Sequence, residues 1–250
     1  MRPLLIFYVS TFLTLTVFGQ YPFEKKPAIK YKKYENWKVN KNSEAGADYS
    51  IIIPNFYSNN HVLKFQITSQ AGKDTSVFKI YDGRKLIQTF VEPGYIGGTL
   101  GPTPQSVFLE DVNGDGLKDF KILIPNSGCC GGYNYYLKVI YLFQKKNGTF
   151  TKISFSDLMM FYVNRPERDI DGDRNFEIIT QTFQTVGEHH YWLFNLYDFN
   201  GNELVNVNQK NNYPIMVQLL YRNNYKITDK ISRNEMKRFD RKLPDDYDKK

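Results

Sequence analysis

The chain has 250 residues, a formal net charge of +7, 19 Tyr, 19 Phe and two Cys. Its basic residues crowd at the ends (Lys25, Lys26, Lys30, Lys32 and Lys33 in front; Lys237, Arg238, Arg241, Lys242, Lys249 and Lys250 behind). No aromatic–basic nucleic-acid motif accompanies them, which argues against a nucleic-acid binder and for a solvated basic tail or weak attraction to an anionic surface.

Residues 1–19 have the order of a secretory signal: a positive Met1-Arg2, an uncharged run from Leu4 to Phe18, and compact residues before Gln20. The run is shorter than the roughly 20 apolar residues that span a bilayer. No Cys follows it to carry a lipid. The expectation is a cleaved signal peptide and a periplasmic or secreted protein, neither a lipoprotein nor anchored by a transmembrane segment. Residues 20–47, rich in Lys, Asn and Pro, are expected as an extended basic arm.

Residues 48–225 carry the strand signals. Val62 to Thr68 alternates, with Leu63, Phe65 and Ile67 on one face and Lys64, Gln66 and Thr68 on the other. Three hairpins are predicted where strand-like runs flank Asp82-Gly83, Asn147-Gly148 and Asn200-Gly201. Further strands are expected at Tyr49 to Ile53, Ser106 to Leu109, Asp119 to Ile124, Glu177 to Phe183 and Tyr213 to Tyr221. Ser156 to Tyr162 is expected to make a helical turn or two. Residues 226–250 are expected as a polar, partly helical segment, with a short helix from a Ser232 cap and a frayed end from Leu243. The fold class is therefore all-β, a propeller-like or open multi-sheet array of antiparallel strands with little helix.

Two stretches carry chemistry. Asp111, Asn113, Asp115 and Asp119 fall at relative positions 1, 3, 5 and 9 of one loop; Asp169, Asp171, Asp173 and Glu177 fall at the same positions of another. Both run directly into a strand. Calcium takes about six to eight oxygens at roughly 2.3–2.6 Å, and alternate residues of a tightly curled loop can aim theirs inward together. The carbonyls of Leu117 and Asn175, at position 7, would add further ligands. A single such loop is equally a polar turn; two in one register favour calcium. Arg174 stands where the first loop has Gly116, at a position expected to require a backbone angle that side chains disfavour.

These loops resemble the calcium loops of FG-GAP/VCBS repeats, found as blades of integrin-type propellers and in many secreted bacterial proteins. The resemblance implies calcium ligation by Asp111, Asn113, Asp115 and Asp119, and by Asp169, Asp171, Asp173 and Glu177. It covers these two segments; the FG and GAP elements themselves are not recognisable. The run from Asp111 through Ser127-Gly-Cys-Cys-Gly-Gly132 to Phe150 also resembles single-VCBS periplasmic proteins, some of which inhibit lysozyme-type glycosidases through a loop. Certain of those inhibitors carry S-G-x-x-Y, whereas Gly131 stands here in the tyrosine place and Tyr133 is displaced.

The glycine-rich stretch around Ser127, Cys129, Cys130, Tyr133 and Tyr135 is a candidate partner-binding loop, or a long hairpin loop packed on its own sheet. The two cysteines are adjacent, so they cannot bridge distant segments with relaxed geometry, and the chain is not disulfide-stapled. His189-His190 fits a surface-and-core pair better than a zinc site, because strand neighbours point to opposite faces. The function expected is that of an exported, noncatalytic calcium-binding β protein presenting loops to a protein or glycan in the cell envelope. The alternatives are a periplasmic inhibitor of lysozyme-type glycosidases and a secreted hydrolase whose acidic site is not recognisable.

Overall fold

The computed structural model describes residues 21–43, 45–57, 61–70, 72–73, 75–94, 104–125, 136–160, 163–201, 203–219 and 225–250. The signal segment and the candidate loop residues Ser127, Cys129, Cys130, Tyr133 and Tyr135 lie outside them. The described residues form three antiparallel sheets. None of their helices is long and apolar enough to cross a membrane.

After a 3₁₀ turn at Pro22–Lys25, β1 (Lys32–Tyr34) belongs to the middle sheet. The first sheet is a meander of β2 (Lys38–Ser43), β3 (Gly46–Ile53), β4 (Leu63–Gln70), β5 (Thr75–Asp82) and β6 (Lys85–Pro93). The middle sheet has β7 (Val107–Glu110), β8 (Asp119–Pro125), β9 (Tyr136–Gln144) and β10 (Phe150–Leu158), in the order β1-β7-β8-β9-β10. The last sheet has β11 (Ile178–Val186), β12 (His189–Asn200), β13 (Glu203–Asn206) and β14 (Ile215–Gln218). β11 pairs along one edge of β12, while β13 and β14 share its other edge. A short helix, α1 (Arg233–Met236), follows, and β15 (Asp245–Lys249) closes the middle sheet against β10.

The central strands of the middle sheet are covered on both faces, so β8 and β10 are buried almost throughout rather than at alternate residues. Phe120, Ile122, Ile140, Leu142 and Phe150 face the first sheet and pack on Ile51, Phe65 and Phe78. The alternate residues, Leu123, Val139, Tyr141, Phe143, Ile153 and Phe155, face the last sheet and pack on Ile178, Tyr197 and Phe199. Phe120 lies at the aromatic centre of the first interface, 4.6 Å from Phe65, 5.0 Å from Phe56 and 5.7 Å from Phe150 between ring centroids. Each such pair contributes about 0.5–1.5 kcal/mol beyond its area. The first sheet keeps one face to solvent, and Leu63, Phe65 and Ile67 alternate as the sequence predicts.

Three expectations are corrected. The segment 20–47 does not stand off as an arm: Phe23 and Ile29 are buried, β1 pairs with β7, and β2 pairs with β3. Its polar side chains point outward from edge strands that need only backbone pairing, so composition conceals them. Ser156 to Leu158 continues β10, paired with Lys138, Leu137 and Tyr136, and helical 3₁₀ conformation begins only at Met160, with residues 161 and 162 outside the described residues. The end beyond Leu243 is not frayed but forms β15. There Asp248 meets the buried Lys152 amine at 2.7 Å, and Lys152 and Lys250 exchange backbone hydrogen bonds. The Ser232-capped helix forms as expected, its hydroxyl accepting from the Glu235 N–H.

Candidate metal centre

Each aspartate loop is closed by a backbone pair and lined by the same hydrogen bonds. Glu110 pairs with Asp119 across the first, and Arg168 with Glu177 across the second. The position-9 carboxylate accepts the position-2 N–H in both: Val112 to Asp119 Oδ2 at 3.0 Å, and Ile170 to Glu177 Oε2 at 2.8 Å. The position-5 N–H donates to position 3 in both, from Asp115 to Asn113 Oδ1 at 3.3 Å and from Asp173 to Asp171 Oδ1 at 3.2 Å. The position-7 N–H donates to position 5, from Leu117 to Asp115 Oδ1 at 2.8 Å and from Asn175 to Asp173 Oδ1 at 2.9 Å. Short polar side chains that bond their own backbone two residues on produce this curl, which is why Asp and Asn recur at every second place.

Apolar residues between the oxygen donors pin the loops to the core. Val112 packs among the residues that join the middle and last sheets, and Ile170 packs with Phe23, Phe194 and Leu196. The two loops also lie side by side: a Cβ built on Gly114 would stand 2.8 Å from Asn175 Oδ1.

The loops differ in where their carboxylates point. In the second, oxygens of Asp169, Asp171 and Glu177 all lie within 4.8 Å of one another. At calcium–oxygen distances of roughly 2.3–2.6 Å, two ligands on opposite sides of one ion stand about 5 Å apart, so these three fit a shared coordination sphere. The donors are all hard oxygens, the type that calcium and magnesium select. Asp173 stands outside the trio, half-exposed, and Asn175 donates to it. Lys210 forms an ion pair with Asp171 Oδ2 and lies 3.9 Å from Asp173 Oδ2.

Carboxylates of both loops accept backbone N–H groups, Asp169 Oδ1 taking that of Gly172 at 2.7 Å in the second. In the first loop, Asp111 accepts from the N–H groups of Asp115 at 3.1 Å and Gly116 at 2.8 Å. Asp119 is buried, and its two oxygens take the N–H groups of Val112 and Gln144. Among the described residues, the acidic groups of this loop do not form a three-carboxylate cluster of the kind seen in the second.

Burial disfavours the charged forms of the closing carboxylates. Asp119 is pushed up to about 7 mainly by desolvation, with the Asp115 and Asp111 charges adding to it. Glu177 is likewise pushed up to about 7 by burial, with Asp171 contributing. Asp171 moves the other way because Lys210 hydrogen-bonds its carboxylate. A divalent ion would meet the unfavourable charge on Glu177 directly.

Several polar residues gave no signal in the sequence. Lys210 follows β13 in a stretch without a motif. Glu167, buried in front of the second loop, accepts from Lys121 Nζ at 2.7 Å and from the hydroxyls of Tyr31 and Tyr141. Arg165 binds Asp157 Oδ2 at 2.8 Å and the Ile179 carbonyl at 3.0 Å, joining β10 to β11. A second buried set joins Glu92 to Lys152, Ser154 and Lys138 across the first and middle sheets. His189 and His190 are both exposed, near Gln218 and Thr185 respectively, so neither enters the core as the sequence suggested.

Comparison with family models, with curated proteins and with solved structures finds no match to this chain.

Proposed function

We propose that this chain is an exported, noncatalytic β protein that takes a calcium ion in its second aspartate loop and uses it to stiffen a scaffold for a protein or glycan partner in the cell envelope. The convergence of Asp169, Asp171 and Glu177 within 4.8 Å carries the reading. The recurrence of one hydrogen-bond pattern in both loops supports it, because it shows the curl to be a repeated unit rather than a single polar turn. The order of charges in residues 1–19 supports export.

The ion would be held by Asp169, Asp171 and Glu177, and it would supply positive charge beside the buried Glu177 carboxylate. Extracellular calcium modules bind at about 10⁻⁴–10⁻³ M, so millimolar calcium is the relevant range. Thermal unfolding in chelator and across a calcium titration tests the proposal, with Asp171→Asn as the control. The wild type should gain stability with calcium, approaching about 2.7 kcal/mol at a hundredfold excess over Kd, and the variant should gain little. A wild-type melting temperature indifferent to calcium would sink it.

A further inference from the structure

Lys210 reaches over the second loop from the turn after β13. Its side chain is 61% exposed, whereas its partner Asp171 is 16% exposed, so the ammonium comes down from solvent onto the mouth of the converged carboxylates. Two seats are within its reach: Asp171, a member of the converging trio, and Asp173, which stands outside it, 3.9 Å from Nζ.

We infer that Lys210 is a tethered cation that regulates this site by competing for Asp171. The inference rests on the calcium reading and adds a control to it. Without a divalent ion, Lys210 neutralises one of the three crowded carboxylates and holds the loop in its curl. An entering divalent ion takes Asp171, and the ammonium transfers to Asp173, which the ion does not need. The exchange lowers calcium affinity while keeping the metal-free loop ordered.

The arrangement also discriminates by charge. A sodium or potassium ion brings the trio no more charge than the ammonium already does. It must also displace a group held nearby by its own chain, at high effective concentration. A doubly charged ion gains the extra attraction of all three carboxylates and can displace the tether.

Calorimetric calcium titration of the full chain, beside melting in chelator, tests this with Lys210→Met and Lys210→Arg. Lys210 is exposed, so neither substitution opens a cavity. Lys210→Met should bind calcium tighter by on the order of fivefold, the upper range for an exposed ion pair. It should also melt below the wild type in chelator, and sodium should compete with calcium more strongly in it. Lys210→Arg, which keeps the charge, should bind calcium as the wild type does. Equal affinities for wild type and Lys210→Met would overturn the tether and leave the calcium reading standing. Absence of calcium binding in both proteins would overturn the calcium reading, and the tether with it.

Discussion

Arg174 holds in the second aspartate loop the left-handed backbone position that Gly116 holds in the first, with φ of 74° and 81° respectively. A side chain there costs roughly 1–2 kcal/mol, partly offset because glycine loses more entropy on folding. Arg174→Gly should therefore raise stability by about 0.5–1 kcal/mol in chelator. Gly116→Arg should lower it by a similar amount. Urea melts of the two variants check the pair, and a neutral Arg174→Gly would show that the loop relaxes to another backbone shape.

Gly114 is constrained twice, by a φ of 71° and by the neighbouring loop, since a Cβ would meet Asn175 Oδ1 at 2.8 Å. Gly114→Ala should cost about 1–3 kcal/mol, the range for strain at such a backbone position. Adding Asn175→Ala should recover part of that loss, because the steric share depends on contact between the loops. A double-mutant cycle measures the coupling; strictly additive effects would separate the loops energetically.

Asp119 makes stability depend on pH in an unusual direction. Its folded value of about 7 lies above the ordinary carboxylate value near 3.9, so between those limits the folded state holds a proton that the unfolded state has released. Stability from this group is therefore present at low pH and is lost as pH rises towards 7. Glu177 acts in the same sense. In chelator, denaturant midpoints should decline from about pH 4 to about pH 7, and Asp119→Asn should flatten the slope. Calcium should remove the share due to Glu177 by stabilising its charged form.

The Lys121–Glu167 pair, both side chains 1% exposed and 2.7 Å apart, should behave as a buried ion pair. Glu167→Ala leaves the Lys121 ammonium buried without its carboxylate partner, hydrogen-bonded to the Arg165 carbonyl, and should cost about 3–5 kcal/mol. Lys121→Met combined with Glu167→Gln should recover much of it. Equilibrium unfolding of the single and double variants decides the matter.

What the sequence made legible was local. Leu63, Phe65 and Ile67 alternate because one face of β4 is dry, and the Asp-Gly and Asn-Gly dipeptides mark hairpins because Gly83, Gly148 and Gly201 adopt positive φ. The spacing of the two aspartate loops was visible because side chains bond their own backbone over two residues. What stayed hidden depends on partners far along the chain. Lys121 meets Glu167 46 positions away, and Lys152 meets Glu92 60 positions away, so nothing near either lysine in the chain marks it as buried. β1, β2 and β15 were missed for a related reason, since an edge strand with polar side chains carries no apolar alternation. That the second loop brings three carboxylates together while the first does not also lay beyond spacing, because both share one pattern of oxygens.

The layering has a consequence for how the molecule opens. The central strands β8 and β9 are covered on both faces until a flanking layer departs, so deuterium should enter them last, through an event close to global unfolding. The meander from Lys38 to Pro93 has one wetted side and can breathe as a separate cooperative unit. A protein arranged in this way should lose its outer leaf before its heart.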